Sequence, residues 1–472
     1  SSEIVTKSYF VGLDKYKNTN VISLVTDPDN LFDNEKGIYV KGTAYKQWEL
    51  EGKAGEEPIP NWKNKGFFWE RPAEITYFDN GNLFLEQKLG IRIRGQGSRR
   101  LQIKSFNLFA RKFYDGQNRL LTPLFEEISS QKSFILRSSK YKEGFLQSLV
   151  SDRNISTQLF KPCSLFIDGE YWGEYQIMER YSTHYIEEHF GIDKDDVSMI
   201  KSGNLEAGEK TDLYDYYELL EFIQNYDMSV KENYNNVCER IDIQSLIDYY
   251  CTQIYLNNID FSYKVNVEIW RSKSKSNNPY GDRKWRWMLF DLDKSIKCVL
   301  NDLRAFYDFN IFTEDFPFTS SLYEDPFITN LMRNQEFCKQ FVNTFMDLAN
   351  YNFDKDIVTE KLYKITDKPS KSMITFFENR FDYITKYMAD FFKLKGNLTN
   401  VTINITNPNQ GTIKLNTLPG NITNSQWTGK YFTDYEITVT AIAKEGYNVF
   451  CNNYFLSYEK IFPQAPVGIF YV

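Results

Sequence analysis

The chain has 472 residues, 42% of them hydrophobic, enough for two or three domains with buried cores and too apolar for a disordered chain. A net charge of -7 argues against a general nucleic-acid binder, and no apolar run of about 18 residues is present to span a membrane as a helix. With only two histidines, and six scattered cysteines lacking a C-x-x-C pair, Ser-His-Asp, Cys-His and zinc chemistry have little to work with, so catalysis would rest on carboxylates, Lys and Arg.

The chain opens on SSEIVTKSYF, without Met or a signal-like apolar stretch, and reads as a processed or trimmed chain with room upstream for an export signal. Strands are expected at 21–25, 74–78, 91–94, 134–137 and 164–167, with a Gly/Pro/Lys-rich loop, EGKAGEEPIPNWKNKG, inserted at 51–66. A helix is expected near 145–154, and Asp168-Gly169 suits a two-residue hairpin turn. From about 181 the pattern turns helical. TDLYDYYELLEFIQNY and IDIQSLIDYYCTQIYLNN carry apolar residues at helical spacing, and helix resumes over 327–393. His184 and His189 fall in this region and read as surface residues. After Gly396, KGNLTNVTINITNPNQGTIKLN alternates at period two, followed by EITVTAIA and YNVFCN. The organisation expected is α+β: a body over 1–395, β-rich to about 180 and helical from 181, then a small all-β domain over 396–472.

The run KWRWMLFDLD ends on Asp291 and Asp293. On a strand these acids face the same side, where like charges repel unless a metal, a basic side chain or water relieves them. Upstream, Asp260 ends a helical run, and Asn266 leads into the strand-like Val267-Glu268-Ile269-Trp270. A loop Asp, an Asn, a hairpin and a further Asp is the order in which protein kinases place catalytic base, metal ligand and metal ligand. Carboxylate and amide oxygens are the hard ligands that magnesium takes. Asp260 is then the base or substrate-orienting residue, Asn266 and Asp291 are metal ligands, and Asp293 joins the metal shell or binds a water on the metal. Nearer the start, Arg94-Gly95-Gln96-Gly97-Ser98-Arg99-Arg100 offers glycines for close approach of backbone amides and cations for an anion. Arg94, Gly95, Ser98 and Arg99 are the expected phosphate clamp. Lys104 is the strand lysine expected to meet the α- and β-phosphates.

At these residues the chain resembles the spore coat protein H (CotH) kinase family, over roughly 9–380. The resemblance is carried by VISLVTDPDNLFDNEKGIYV, GIRIRGQGSRRLQIKSFNLFARK, SFILRSS, DRNISTQLFKPCSLFIDGEYWGEYQIMER, YLNNIDF and FDLDKS. It implies an atypical bilobal protein-kinase-like fold, with a β-rich N-lobe and a helical C-lobe, followed by an accessory β module. By the same resemblance Lys104 and Asp260 are catalytic, Asn266 and Asp291 bind metal, and Glu179 lies near the nucleotide. The implied activity is transfer of the γ-phosphoryl group of ATP, with magnesium or manganese, to Ser/Thr of secreted or surface proteins. A monomer at the cell surface or outside the cell is expected. Two other classes stay open: a surface adhesin or scaffold-attached module without turnover, and a nucleotidyl (AMP) transferase. The chain departs from the family pattern at Gln96-Gly97 in the loop, at Lys142 and at Lys294 and Lys297 after the D-L-D run.

Overall fold

The computed structural model describes residues 7–12, 14–296, 306–313, 322–405, 407–418 and 422–446, and the backbone of strands Glu459–Ile461 and Gly468–Tyr471. Lys297, Cys298, Cys451 and the strand expected in YNVFCN lie outside the described residues. The described chain mixes sheets with twelve α-helices. It divides into two units, one of Ser1–Ser148 with Gln158–Val197, the other of Leu149–Thr157 with Ser198–Val472.

In the first unit, β1 (Val21–Val25), β2 (Arg71–Asp79), β3 (Asn82–Ile93), β4 (Phe106–Phe109), β5 (Ser133–Arg137), β6 (Phe160–Ile167) and β7 (Glu170–Glu179) form a closed barrel. The order is β1-β2-β3-β4-β5-β7-β6. The strands β1 and β6 close it in parallel, with Val21 opposite Ser164 and Leu24 opposite Ile167. Closure leaves no strand edge exposed to another chain. Alternate side chains fill the core, among them Ile22 and Leu24, Ile75 and Tyr77, Phe106 and Leu108, Tyr175 and Ile177. This is the period-two burial that a strand dictates. The β6–β7 hairpin turns at Asp168 and Gly169, whose φ values of 50° and 86° meet the two left-handed positions of a type I′ turn. Helices α1 (Pro28–Phe32), α2 (Thr43–Leu50), α3 (Lys112–Asp115), α4 (Lys142–Ser148) and α5 (Thr183–Phe190) complete the unit.

The second unit carries a four-stranded sheet of β8 (Val197–Lys201), β9 (Asn204–Ala207), β10 (Glu268–Ser272) and β11 (Arg286–Met288), in the order β11-β10-β8-β9. Around it lie α6 (Lys210–Asn225), α7 (Lys231–Arg240), α8 (Ile243–Tyr255), α9 (Pro326–Leu331), α10 (Gln335–Asp347), α11 (Lys355–Ile365) and α12 (Lys371–Phe392). The central helix is α8, capped by the Asp242 side chain on the Ser245 N–H and buried along almost its whole length. The C-terminal strands β12 (Leu398–Asn404), β13 (Gly411–Leu415), β14 (Gln426–Phe432), β15 (Ile437–Ala443), β16 (Glu459–Ile461) and β17 (Gly468–Tyr471) form two three-stranded sheets.

These strands are hydrogen-bonded to the helices through a buried polar network. Asp347, the last residue of α10, accepts from the Thr417 N–H at 2.9 Å, the Thr417 hydroxyl at 2.6 Å, the Asn416 amide at 3.1 Å and the Tyr431 hydroxyl at 2.7 Å. Arg153, from the Leu149–Thr157 segment, donates to the Thr417 carbonyl at 2.6 Å and to Asp248 of α8 at 2.7 and 2.9 Å. Arg153, Asp248, Asp347 and Tyr431 are all buried, so each polar atom needs the partner it has.

Candidate active site

The residues expected to act divide between the two units. In the first, Gly95 has φ 106°, and a Cβ there would come 2.1 Å from the Ser98 hydroxyl oxygen, so only glycine fits the loop. Arg94 donates to the Asn107 side-chain oxygen at 3.3 Å. Arg99 is buried and works inward. Its guanidinium donates to the carbonyls of Gly95, of Trp62 at 2.8 Å and of Asn64 at 2.9 Å, stapling the glycine loop to the 51–66 insertion.

Lys104 precedes β4 rather than lying within it, and is 4% exposed. Its ammonium lies 4.9 Å from the centre of the Tyr39 ring and 4.8 Å from that of Trp62, and donates to the Leu101 carbonyl. Burial alone brings its pKa down to about 8. A lysine at that value stays mostly protonated at neutral pH, held by two aromatic faces and one carbonyl.

Glu179, at the end of β7, is buried. One carboxylate oxygen accepts from the Leu159 N–H at 2.9 Å, and the other lies 2.7 Å from Nε2 of His189. His189, read from sequence as a plain surface residue, therefore braces Glu179 while its ring packs 4.2 Å from that of Tyr185. Glu179 also lines a shallow surface depression with Ser130, Lys132, Ser133, Arg180 and His184. Sequence reasoning passed over Glu143 of α4, a buried carboxylate 3.7 Å from the Arg137 guanidinium. Its only sequence signal was its place beside Lys142.

In the second unit Asp260, Asn266 and Asp291 come together. The chain leaves α8 through Asn257 at φ 51°, and Asn266 follows at φ 50°. Asn and Asp are the side chains that take this left-handed conformation most readily. The Asn266 amide donates to the Asp260 carbonyl at 2.8 Å, and the Asn266 carbonyl accepts from the Tyr249 hydroxyl at 3.2 Å. Asn258, fully buried and not singled out from sequence, links the two acidic segments. Its side-chain oxygen accepts from the Asp260 N–H at 3.2 Å, and its amide donates to the Asp291 carbonyl at 3.4 Å. The signal available was only its position two residues before Asp260.

The two acids of the D-L-D run are not strand neighbours. Strand β11 stops at Met288, Asp291 takes φ 58°, and Asp293 sits in a single 3₁₀ turn over Leu292–Lys294. The left-handed aspartate breaks the extended backbone, so the period-two argument does not apply past Met288. The Asp260 carboxyl is raised above its ordinary range, first by burial and then by the negative charge of Asp291. Lys294 and a hydrogen bond from Asn266 oppose the rise. Carboxylates from two segments, with an amide beside them, are a donor set of hard oxygens suited to a divalent cation.

No curated protein matches the chain. A family model described as CotH kinase protein matches residues 91–378, a span that takes in the glycine loop, Lys104, Glu179, the Asp260 loop and the D-L-D turn. That span covers well over half of the chain, which therefore belongs to the CotH kinase family.

Proposed function

We propose that the protein transfers the γ-phosphoryl group of ATP to Ser/Thr hydroxyls of secreted or surface proteins. The fold read for it is bilobal and kinase-like, with residues 396–472 as an accessory β domain. The observation that carries the reading is the convergence of Asp260, Asn266 and Asp291, with the Asp260 carboxyl raised by burial and then by its acidic neighbour. Membership of the CotH kinase family supports it. Among the described residues no helix is long and apolar enough to cross a membrane.

In this reading Asp291, Asn266 and Asp293 would hold magnesium or manganese, which would supply positive charge against the phosphates. Arg94, Gly95 and Ser98 face the phosphates, and Arg99 keeps their loop in shape. Lys104 leaves its aromatic enclosure to meet the α- and β-phosphates, and Glu179 lies near the nucleotide. Asp260 orients the acceptor hydroxyl. As the hydroxyl oxygen bonds to the γ-phosphorus and the bond to the β-phosphate oxygen breaks, Asp260 takes the hydroxyl proton and ADP departs. A carboxyl raised above its ordinary range is the stronger base for that step.

The enclosure of Lys104 favours one second reading, a surface-binding protein without turnover. Incubation with γ-labelled and α-labelled ATP, magnesium or manganese and a mixture of candidate secreted proteins separates the classes. Label from γ alone supports the kinase, and its loss in Asp260→Ala by about 10²- to 10⁴-fold assigns the base. Label from α alone makes the protein a nucleotidyl transferase. No label from either leaves the binding reading.

A further inference from the structure

Both candidate segments of the second unit contain backbone that must be held in place. Besides Asn257, Asn266 and Asp291, the turn that carries Asp293 ends at Ile296 with φ 48°. A β-branched residue rarely adopts that conformation unless its surroundings fix it. The two segments share one root, the C-terminal end of α8. The Ile296 N–H donates to the Leu256 carbonyl at 3.0 Å, and the chain runs from there through Asn257 and Asn258 to Asp260.

One side chain grips that root. Arg380 of α12 is fully buried, with Nε donating to the Tyr255 carbonyl at 3.1 Å and Nη2 to the Ile254 carbonyl at 3.3 Å. These belong to the last turn of α8, where the Ile254 carbonyl also accepts from the Asn257 N–H at 3.1 Å. Nη1 of the same guanidinium donates to the carbonyls of Tyr307 at 2.9 Å and Phe309 at 2.7 Å. Further along α12, the Tyr387 hydroxyl is 2.6 Å from the Asp308 carboxylate, holding the same segment. A planar fork of five N–H donors can serve four carbonyls at once; an ammonium cannot.

We propose that Arg380 is a positioning residue of the candidate active site. Its guanidinium ties the exit of α8 to residues 307–309 and so fixes the Asp260 loop and the Asp291–Ile296 turn relative to each other. The catalytic consequence rests on the kinase reading; the mechanical one does not.

Hydrogen exchange on the full chain tests it, comparing wild type with Arg380→Lys and Tyr387→Phe. In Arg380→Lys, amides of 257–266 and 291–296 should exchange about tenfold faster or more, while those of α6 and β10 keep their rates. Tyr387→Phe should affect only 306–311. Unchanged exchange in the two site segments, or a uniform rise throughout the unit, overturns the proposal. If wild type transfers phosphoryl groups, Arg380→Lys should lower kcat by about 10- to 100-fold and leave nucleotide affinity within about threefold, because misplacing a base acts on turnover. Equal losses in both would mark a merely structural arginine. A wild type without transfer defeats the kinase reading and leaves the exchange arm to decide. If Arg380→Lys does not fold, wild-type exchange at rising urea decides instead. Amides of 256–262 and of α12 around Arg380 opening in one step support the clamp; separate steps overturn it.

Discussion

Replacing Lys104 by Met removes a charge from an enclosed site at nearly constant volume. The ammonium keeps one carbonyl and two aromatic faces, which recover only part of the hydration lost on burial. The shortfall appears as the drop in pKa from 10.5 to about 8. At ~1.4 kcal/mol per pH unit this is about 3.5 kcal/mol, which screening by nearby solvent reduces to about 2. Lys104→Met should therefore be at least as stable as wild type at pH 7, by up to about 2 kcal/mol. The folded-state pKa lies below the unfolded one, so between about 8 and 10.5 the unfolded chain binds more protons and wild-type stability rises with pH. The gap between variant and wild type should close across that window, as read by urea unfolding at half-unit steps of pH. Nucleotide binding carries the opposite signature: phosphates favour the ammonium, so wild-type ATP affinity should fall as pH passes about 8, and the variant should bind weakly at every pH. Parallel stability profiles, or a variant destabilised by more than about 1 kcal/mol at pH 7, would refute the reasoning.

Asp291→Asn should abolish metal-dependent ATP binding in a folded protein, and should move the Asp260 titration down toward its ordinary range by removing the charge that helps to raise it. Calorimetric titration with and without magnesium, and carboxyl NMR, check the two parts; an unchanged metal-dependent affinity would sink the ligand assignment. Tyr431→Phe deletes a 2.7 Å hydrogen bond to the buried Asp347 carboxylate and should cost about 1.5–3 kcal/mol in urea unfolding. A loss under about 0.5 kcal/mol would mean that the remaining donors to Asp347 suffice.

Local pattern was enough to read β1, the Asp168-Gly169 turn, α6 and α8, because each depends on spacing within a few residues. It was also enough to read the order Asp260, Asn266, Asp291, which the structure gathers in one place. Barrel closure was not legible. It depends on β1 meeting β6 across some 140 residues, and no local signal sets a partner at that distance. The same holds for the enclosure of Lys104 by Tyr39 and Trp62, one of which comes from a loop that reads as featureless. Arg99 has contacts that its motif does not announce. A cation in a glycine loop suggests a phosphate, yet its donors find backbone carbonyls first. Asn258 and Arg380 act through main-chain atoms of other segments, a role that residue type does not announce.

The excursion of Leu149–Thr157 into the second unit has a practical consequence for dissecting the protein. A polypeptide begun at Ser198 would contain Asp248 without Arg153, leaving a buried carboxylate uncompensated at a cost of about 3–5 kcal/mol. A polypeptide stopped at Ser148 would lack β6 and β7, and with them the parallel seam that closes the barrel. Simple truncation therefore yields neither unit intact. Separate expression of the halves calls for a rejoined chain, with 149–157 supplied to one as a fused peptide and bridged by a short linker in the other. The same interleaving means that during synthesis the barrel cannot close until β6 and β7 have emerged, by which time the residues that will pair with Asp248 are already waiting.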